Sequence, residues 1–269
     1  MAAKAEKDKG KRFTVASFNV NSVRSRLEVL VPWLRQQQPE VLCLQEIKVE
    51  TALFPAAEFE QLGYRLAVLG HKGYAGVAIA SRAPLTDVAF GLADGQPSEE
   101  ARLVRARVRG VNIVNTYVPQ GREIASEHFQ YKLQWLTRLR RFFEKHYTPR
   151  QKVLWCGDIN VAPAELDLHD PKGNLNHVCF TAEVRAAFSR VAEWGFIDVF
   201  RRHHPEPGLY SFFDYRVRDA LKRGLGWRVD LIMATPPLAA KSIDCRIDTG
   251  PRTAERPSDH CPVVAEFEL

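Results

Sequence analysis

The chain has 269 residues, of which 45% are hydrophobic and 26% charged, and its formal net charge at pH 7 is +6. This composition is typical of a globular protein with a sizeable core. No apolar stretch reaches the roughly 18 to 20 residues that a membrane-spanning helix needs. The first residues lack the apolar segment of a secretory signal, so we expect a cytoplasmic protein with no membrane partner.

Much of the positive charge stands at the start of the chain. Residues 1–12 hold five basic and two acidic residues, which predicts a disordered basic tail. Residues 13–269 contain no Pro- or Ser-rich linker and are predicted to form one domain. The mild charge fits a polyanionic substrate, although a merely soluble basic protein explains it equally well. The five cysteines form no C-x-x-C pair, which favours reduced buried thiols over zinc or disulfides.

The first predicted unit is a strand, a helix and a second strand. Phe13–Asn19 alternates apolar and polar residues as a strand does. Apolar residues at helical spacing follow, with Ser22 as a suitable N-cap and with Pro32 expected to kink or restart the helix. A short apolar strand, Val41–Gln45, then ends directly before Glu46. Further strands are predicted at Tyr64–Val68, Gly76–Ser81 and Leu103–Val108.

A second unit of the same order follows. The strand Val111–Val118 precedes the longest helical pattern, Ala125–His146, and the apolar strand Val153–Gly157 then ends before Asp158. Because both units deliver polar side chains at strand ends, they predict an α/β fold of two sheets packed face to face with helices outside. The rest is predicted as a long loop at Val161–Cys179, a helix at Ala182–Trp194, and strands at Arg228–Ala234 and Pro262–Phe267.

Glu46 places a carboxylate beyond a buried strand, where it could serve a cation. Mg²⁺ takes oxygen ligands and usually binds through one or two carboxylates with waters and substrate phosphate. Glu46 and Asp259, with Asn19 nearby, could supply these oxygens. A surface acid paired with Lys48 is the alternative, and for a lone glutamate it is the more frequent situation.

Asp158 and Asn160 lie two residues apart in a Gly-Asp-Ile-Asn segment. In an extended chain they face the same side. The carboxylate could orient or deprotonate a water while the amide donates to a phosphoryl oxygen. An Asx-turn that closes the strand is an equally good explanation.

Asp259 and His260 are adjacent, so their side chains diverge, and Asp230 from another strand is the better candidate partner for the imidazole. Such a hydrogen bond would fix the tautomer, raise the imidazole pKa and favour a cation facing a phosphate. A purely structural histidine is the alternative, because position alone does not select one of 8 histidines.

Aromatic and basic residues suggest a nucleic-acid contact. Tyr117 could present its phenol to a phosphate or simply pack at the rim. Phe212 and Trp227 could stack on an unpaired sugar or base, with core packing as the alternative for Phe212. The neighbouring basic residues are Arg216, Arg218, Lys222, Arg223 and Arg228. Without a Ser-His-Asp order, a P-loop or a Rossmann glycine pattern, the set favours metal-assisted phosphodiester hydrolysis.

Taken together, the motifs Leu-Gln-Glu-x-Lys, Tyr-Val-Pro, Gly-Asp-x-Asn, Gly-Trp-Arg-x-Asp and Ser-Asp-His-x-Pro resemble the exonuclease III / apurinic endonuclease family. This family lies within the endonuclease–exonuclease–phosphatase superfamily, and the resemblance spans Phe13 to Leu269. It implies a four-layer αββα sandwich of two mixed β-sheets. It also implies Mg²⁺-dependent cleavage, with Mn²⁺ as a substitute, of double-stranded DNA 5′ to abasic sites in base excision repair. The resemblance further implies a 3′→5′ exonuclease or 3′-end-trimming activity. It also implies a monomer that acts on nucleoid DNA in a bacterial-type cytoplasm.

The resemblance also implies roles for individual residues. Asp158 would position or deprotonate the attacking water, Asn160 would stabilise the transition state, and Asp230 would orient His260 toward the phosphate. The implied metal residues are Asn19, Glu46, Asp158, Asn160 and Asp259. The implied catalytic residues are Tyr117, Asp158, Asn160, Asp230 and His260. The implied DNA contacts are Tyr117, Gln120, Asn174, Phe212, Trp227, Arg228 and His260, with Phe212 and Trp227 as walls of a pocket for a flipped abasic sugar.

The chain departs from the family pattern at several positions. Gln120 follows Tyr-Val-Pro where one branch has Asn, and Asn21 stands where that branch has a second acid near the metal. Cys179 occupies a loop position where some members have Gly, and with His177 and Val178 it could narrow the pocket. The balance of endonuclease and exonuclease activity therefore stays open.

Two other functions remain as alternatives. One is a phosphatase or sphingomyelinase-like relative that acts on inositol phosphates or lipids. The other is a nucleic-acid-binding module that has lost catalysis. The Gly-Trp-Arg-x-Asp segment and the aromatic and basic residues favour DNA over the first, and the filled catalytic positions favour an enzyme over the second.

Overall fold

The computed structural model describes residues 12–96 and 101–269. Apart from Arg12, which belongs to the first strand, the predicted tail lies outside the described residues. Within them, no helix is both long and apolar enough to span a membrane. The strands are β1 Arg12–Asn19, β2 Val41–Gln45, β3 Arg65–Leu69, β4 Val77–Ser81, β5 Thr86–Phe90, β6 Leu103–Val108, β7 Val111–Tyr117, β8 Val153–Asp158, β9 Ile197–Asp198, β10 Asp230–Ala234, β11 Ser242–Ile247 and β12 Val263–Glu268. The helices are α1 Leu27–Gln37, α2 Ala56–Glu60, α3 Glu127–His146, α4 Ala182–Ala192, α5 Val199–His203 and α6 Pro236–Ala239.

The strands form two six-stranded mixed sheets. The first sheet has the order β11-β12-β1-β2-β4-β3, and the second has the order β5-β6-β7-β8-β10-β9. Each sheet contains one parallel pair, β1 with β2 and β7 with β8, among antiparallel neighbours. These pairs are the two predicted strand–helix–strand units, since a helical crossover is the usual connection between parallel strands.

Most of the core lies in three layers, one between the two sheets and one on the outer face of each sheet. Successive residues of a strand pack alternately into the inner and the outer layer. In β2, Val41 and Cys43 pack between the sheets, whereas Leu42 and Leu44 pack on the outer face with α1. In β8, the outward-facing Trp155 instead packs against α3 and α4. Both faces of these strands are covered, which explains why they are near-continuous apolar runs. The predicted αββα sandwich is confirmed.

Some local predictions differ from the structure. The segment after Ser22 begins with a short 3₁₀ turn, Arg24–Arg26, and Ser22 caps neither this turn nor α1. The helix α1 continues through Pro32 without the predicted restart. Pro32 lacks an N–H donor, but α1 packs on the first sheet, and tertiary packing supplies most of a helix's stability.

Several short elements were not predicted from the sequence: α2, β5, β9, α5, α6 and β11. Most residues of β5 are exposed, so it lacks the apolar alternation that identifies a strand. The predicted loop at Val161–Cys179 is confirmed, apart from one 3₁₀ turn at Glu165–Asp167.

Candidate active site at one edge of the sandwich

Both parallel pairs end at the same edge of the sandwich, and this brings the predicted site residues together. Asn19 is the last residue of β1, and Glu46 directly follows β2. In the second sheet, Tyr117 at the end of β7 and Asp230 at the start of β10 both lie opposite Asp158. The carboxyl ends of parallel strands are a common place for a binding crevice in α/β proteins.

The backbone around this edge is unusual. Asn21, Glu46, Lys48 and Asn160 all have positive φ angles, between 43° and 52°, a conformation that costs non-glycine residues free energy and clusters at functional sites. Gly157 has a φ of +137°, and a Cβ there would overlap the carbonyl oxygen of Thr116 on the neighbouring strand. The close approach of β7 and β8 therefore requires glycine directly before Asp158.

Two carboxylates and one imidazole converge on a common point. One side-chain atom each from Glu46, Asp158 and His260 lies within 4.8 Å of the others, and within the described part of the chain this is the group that could hold a metal ion. The two carboxylates suit a hard divalent cation such as Mg²⁺, which prefers oxygen ligands. The donor set therefore fits the implied metal.

Asn19 faces these carboxylates with its nitrogen and not with its oxygen. Its Nδ2 donates to Glu46 Oε1 at 2.8 Å and to Asp158 Oδ2 at 2.9 Å. Its Oδ1 accepts from the backbone N–H of Asn21 at 3.0 Å, which fixes the amide orientation because a backbone N–H can only donate. In this arrangement Asn19 orients two carboxylates, and the expectation that it supplies an oxygen ligand is not met.

Glu46 has a lysine partner, as its alternative interpretation predicted. Glu46 Oε2 lies 2.8 Å from Lys48 Nζ, Lys48 donates to Asn21 Oδ1 at 2.5 Å, and Asn21 Nδ2 donates to Asp259 Oδ1 at 3.0 Å. Burial by itself would raise the pKa of Glu46, but Lys48 and Asn19 lower it below its ordinary value. Asp259 is therefore linked to the cluster through Asn21, and it lies outside the group of converging ligand atoms.

Asp158 lies at the centre of the site and is almost completely buried. Burial raises its pKa to about 7; the nearby carboxylates of Asp230 and Glu46 act in the same direction, and His260 acts against them. A carboxylate with a pKa near neutrality can accept a proton at physiological pH.

Asn160 supports Asp158 from the same turn. Its backbone N–H donates to Asp158 Oδ1 at 3.0 Å, and its Nδ2 donates to Asp158 Oδ2 at 3.1 Å and to Val118 O at 3.0 Å. Both the predicted shared face and the predicted Asx-turn are therefore present. These contacts fix the direction of the Asp158 carboxylate.

The predicted pairing of His260 with Asp230 is confirmed. His260 Nδ1 lies 2.8 Å from Asp230 Oδ2, and His260 Nε2 lies 3.9 Å from Asp158 Oδ2. Burial alone would lower the imidazole pKa, but the Asp230 and Asp158 carboxylates outweigh it and raise the pKa to about 10. The ring is therefore an imidazolium at neutral pH, with Nε2–H directed toward the site.

Tyr117 borders the same cluster. Burial raises the pKa of its phenol well above the ordinary value, and the Glu46 and Asp158 carboxylates add to this effect. The Arg102 guanidinium lies 4.8 Å from the ring centroid. The phenol is therefore a neutral hydroxyl that can donate a hydrogen bond, as a phosphate contact requires.

An aromatic wall stands beside His260. The Phe212 ring lies 4.9 Å from the His260 ring, and the Trp227 ring lies 4.5 Å from the His177 ring. Phe212 and Trp227 are bridged to each other through their backbones, and neither is fully buried. The sequence predicts only that His177 narrows the pocket; its contact with Trp227 makes it part of the wall.

The structure contradicts the expected contact between Arg228 and DNA. The side chain is 1% exposed and pairs with Asp167 at 2.6 Å and with Asp198 at 2.7 Å. A guanidinium buried in this way anchors the long loop, because Asp167 lies within it. The neighbouring Arg216 and Arg218, which are 89% and 96% exposed, remain accessible to a polyanion.

Gln120 and Asn174 make local contacts at the periphery. Gln120 Oε1 accepts from the backbone N–H of Arg122 at 2.7 Å, and Asn174 Nδ2 donates to the carbonyl of Asp170 at 2.7 Å. Both residues are partly exposed, so DNA can reach them, and their contacts with DNA stay predictions.

Sequence reasoning missed Lys132. It lies on α3, is fully buried and contacts the loops around Asp158. A signal was available, because a lysine three residues after Phe129 and four before Leu136 falls on the apolar face of the helix.

Comparisons with known proteins agree with this geometry. A family model described as the Endonuclease/Exonuclease/phosphatase family matches residues 16–260. The exodeoxyribonuclease III of Haemophilus influenzae is 32% identical over 264 residues, which cover 94% of this chain and 98% of that protein.

Two solved structures are also similar. An AP endonuclease from Archaeoglobus fulgidus is 51% identical, with a TM-score of 0.94, covering 96% of this chain and 100% of that chain. The 3′ phosphatase NExo from Neisseria, bound to a product DNA hairpin, is 37% identical, with a TM-score of 0.91 and the same coverage.

Proposed function

This chain belongs to the endonuclease/exonuclease/phosphatase family, and on that premise we propose that it hydrolyses the phosphodiester 5′ to abasic sites in double-stranded DNA. Its relatives make it a nuclease of the DNA-repair type. The observation that carries the proposal is the convergence of Glu46, Asp158 and His260 beside the wall of Phe212 and Trp227. This arrangement places a hydrolytic centre next to aromatic surfaces that suit contact with a sugar.

We propose Mg²⁺ as the metal, held by Glu46 and Asp158, with Asp259 close by. When bound there, it would supply Lewis-acid stabilisation of the charge that develops on the phosphoryl oxygens. Glu46 is ionised because Lys48 and Asn19 lower its pKa, so the carboxylate is ready to bind a cation without first losing a proton.

The protein's own groups account for the rest of the proposed chemistry. Asp158 orients a water and accepts its proton, because Asn19 and Asn160 fix the direction of its carboxylate. The imidazolium of His260, held by Asp230, and the neutral hydroxyl of Tyr117 donate to phosphoryl oxygens. Donors that are fixed before the reaction stabilise a developing oxyanion without a cost of reorientation.

The aromatic wall accounts for the proposed preference for damaged DNA. Phe212 and Trp227 present flat apolar surfaces next to His260, where the target phosphate would lie. A sugar that has lost its base has no stacking or pairing to give up, so its extrusion from the duplex costs little. Exposed Arg216 and Arg218 would contact the phosphate backbone.

A second activity, removal of groups from 3′ ends, is favoured by a specific observation. His177 packs against Trp227, which narrows the space beside the aromatic wall. The similar NExo structure is that of a 3′ phosphatase. We propose that the same centre processes 3′ ends. Residues 13–269 would act as one catalytic domain and as a monomer, on the cytoplasmic DNA of a bacterial-type cell.

One set of assays tests these proposals. The purified protein is given a duplex with one abasic-site analogue, an undamaged blunt duplex and a duplex with a 3′ phosphate, each with Mg²⁺ or with chelator. We expect Mg²⁺-dependent incision of the first and end-processing of the third, and neither with Asp158→Asn. Hydrolysis of an inositol phosphate without action on abasic DNA would contradict the proposal, and DNA binding without cleavage would contradict catalysis itself.

A further inference from the structure

Lys132 is a buried cation beneath the active site. Its side chain is fully buried, and its Nζ donates to the carbonyl oxygens of Gln120 at 3.1 Å, Asn160 at 2.6 Å and Val178 at 2.9 Å. An ammonium group has three N–H donors, so all are satisfied. A buried charge is costly unless it is hydrogen-bonded in this way.

Each of the three carbonyls belongs to a different loop of the site. Gln120 ends the segment that begins at Tyr117, and Asn160 lies in the turn that holds Asp158. Val178 belongs to residues 176–179, called here the pocket loop, which also contains His177 of the aromatic wall. One side chain on α3 therefore joins three parts of the site: the segment from Tyr117 to Gln120, the turn of Asp158 and Asn160 (called here the catalytic turn), and the pocket loop.

The surroundings of Lys132 suit a role in positioning more than a role in charge pairing. Within the described residues, no carboxylate forms a salt bridge with its Nζ, and its further contact is Cys179 Sγ at 3.9 Å. Burial lowers its pKa, and the nearby Cys179 and Asp158 partly oppose that effect. Cys179 Sγ also lies 4.0 Å from Asn160 Oδ1, so the lysine, the thiol and the catalytic amide form one packed group.

We propose that Lys132 is a positioning residue that sets the shape of the pocket and the geometry of the catalytic turn together. It holds the pocket loop at a fixed place relative to Asn160 and, through Asn160, relative to Asp158. The activity part of this proposal rests on the proposed function above, whereas the structural part does not.

The test uses the accessibility of Cys179 as a local probe. Five buried free cysteines are present, at Cys43, Cys156, Cys179, Cys245 and Cys261, and of these five Cys179 is the one that lies within 3.9 Å of Lys132 Nζ. Lys132→Met removes the donors, and Lys132→Gln keeps a shorter amide. Lys145→Gln is the matched control, since Lys145 lies on the same helix but is exposed.

In the metal-free protein under native conditions, we expect maleimide labelling of Cys179 to be about tenfold faster in both Lys132 variants, because local opening governs access to buried groups. The other four cysteines should stay protected, and the Lys145→Gln protein should match the wild type. On abasic duplex, we expect kcat to fall by about 10- to 100-fold with a much smaller change in KM, as for displaced catalytic groups.

Other results would overturn the proposal. Continued protection of Cys179 would show that Lys132 does not hold the pocket loop, and labelling of all five cysteines together would indicate general destabilisation. If neither Lys132 variant folds, the lysine serves the whole domain and not the site. If Cys179 alone becomes labelled but the wild type does not cleave abasic DNA, the loop contact stands and the proposed function fails.

Discussion

His260 Nδ1 lies 2.8 Å from Asp230 Oδ2, and both side chains are buried. Because a carboxylate can only accept, the imidazole donates, and this fixes the ring with Nε2 toward Asp158. The second Asp230 oxygen, Oδ1, has no hydrogen-bond partner among the described residues. The carboxylate therefore acts mainly on the imidazole, and its effect should be visible as the charge state of one histidine.

Asp230→Asn should lower the pKa of His260. In the wild type this pKa is raised from 6.5 to about 10. Protonation of His260 therefore stabilises the folded state fully below pH 6.5, and this stabilisation is lost as the pH rises toward 10. In metal-free wild-type protein, histidine NMR should show one imidazolium that persists at pH 8, identified by its loss in His260→Gln. In Asp230→Asn that ring should titrate at lower pH, and unchanged titration would contradict the assigned partner.

Glu46→Gln and Asp158→Asn should both reduce cleavage of abasic DNA by about 10²- to 10⁴-fold, the range for loss of a positioned acid or base. They should differ in their response to metal. Glu46→Gln removes a charged group from the proposed metal ligands, so a higher Mg²⁺ concentration should restore part of the activity, and calorimetry should show weaker Mg²⁺ binding. Asp158→Asn should not be rescued, because it also lacks the proposed acceptor of the water proton. Equal rescue of both variants would contradict the separate roles.

His177→Gly should change the ratio of the two proposed activities. The variant removes the imidazole ring that packs against Trp227, which widens the space beside the aromatic wall. Incision at abasic sites should therefore increase relative to removal of a 3′ phosphate, by about tenfold as for other changes of pocket size. The control is Leu175→Gly, which lies in the same long loop, Val161–Cys179, just before the pocket loop, because Leu175 is 53% exposed. An equal change in both activities would show that His177 does not determine the choice of substrate.

Arg228→Gln and Arg218→Gln should separate stability from DNA binding. Arg228→Gln leaves the carboxylates of Asp167 and Asp198 without their buried partner, and the loss of one member of such a pair typically costs about 3 to 5 kcal/mol. Denaturant unfolding should show this loss. Arg218 is 96% exposed, so Arg218→Gln should leave stability unchanged, raise KM for DNA and reduce its salt dependence. A stable Arg228→Gln protein with a raised KM would restore the DNA contact predicted from sequence.

Several parts of the site could be predicted because they depend on local pattern. Glu46 and Asp158 were identified as residues that follow apolar strands, and both stand at the predicted edge. The two strand–helix–strand units predicted two sheets, since a parallel pair needs a crossover. The edge strand β5 and the short strand β9 escaped prediction because none of their residues is buried.

The hydrogen-bond and ion-pair partners of the polar side chains could not be predicted from local sequence pattern. The sequence by itself determined which residues are candidates for the chemistry, because their types and their places at strand ends are local properties. Only the tertiary structure decided that Asn19 presents its nitrogen to Glu46 and Asp158, that Arg228 turns into the interior, and that Lys132 lies beneath the site. Asn19 and Asp158 stand 139 positions apart, so their hydrogen bond exists only because the sheets pack face to face.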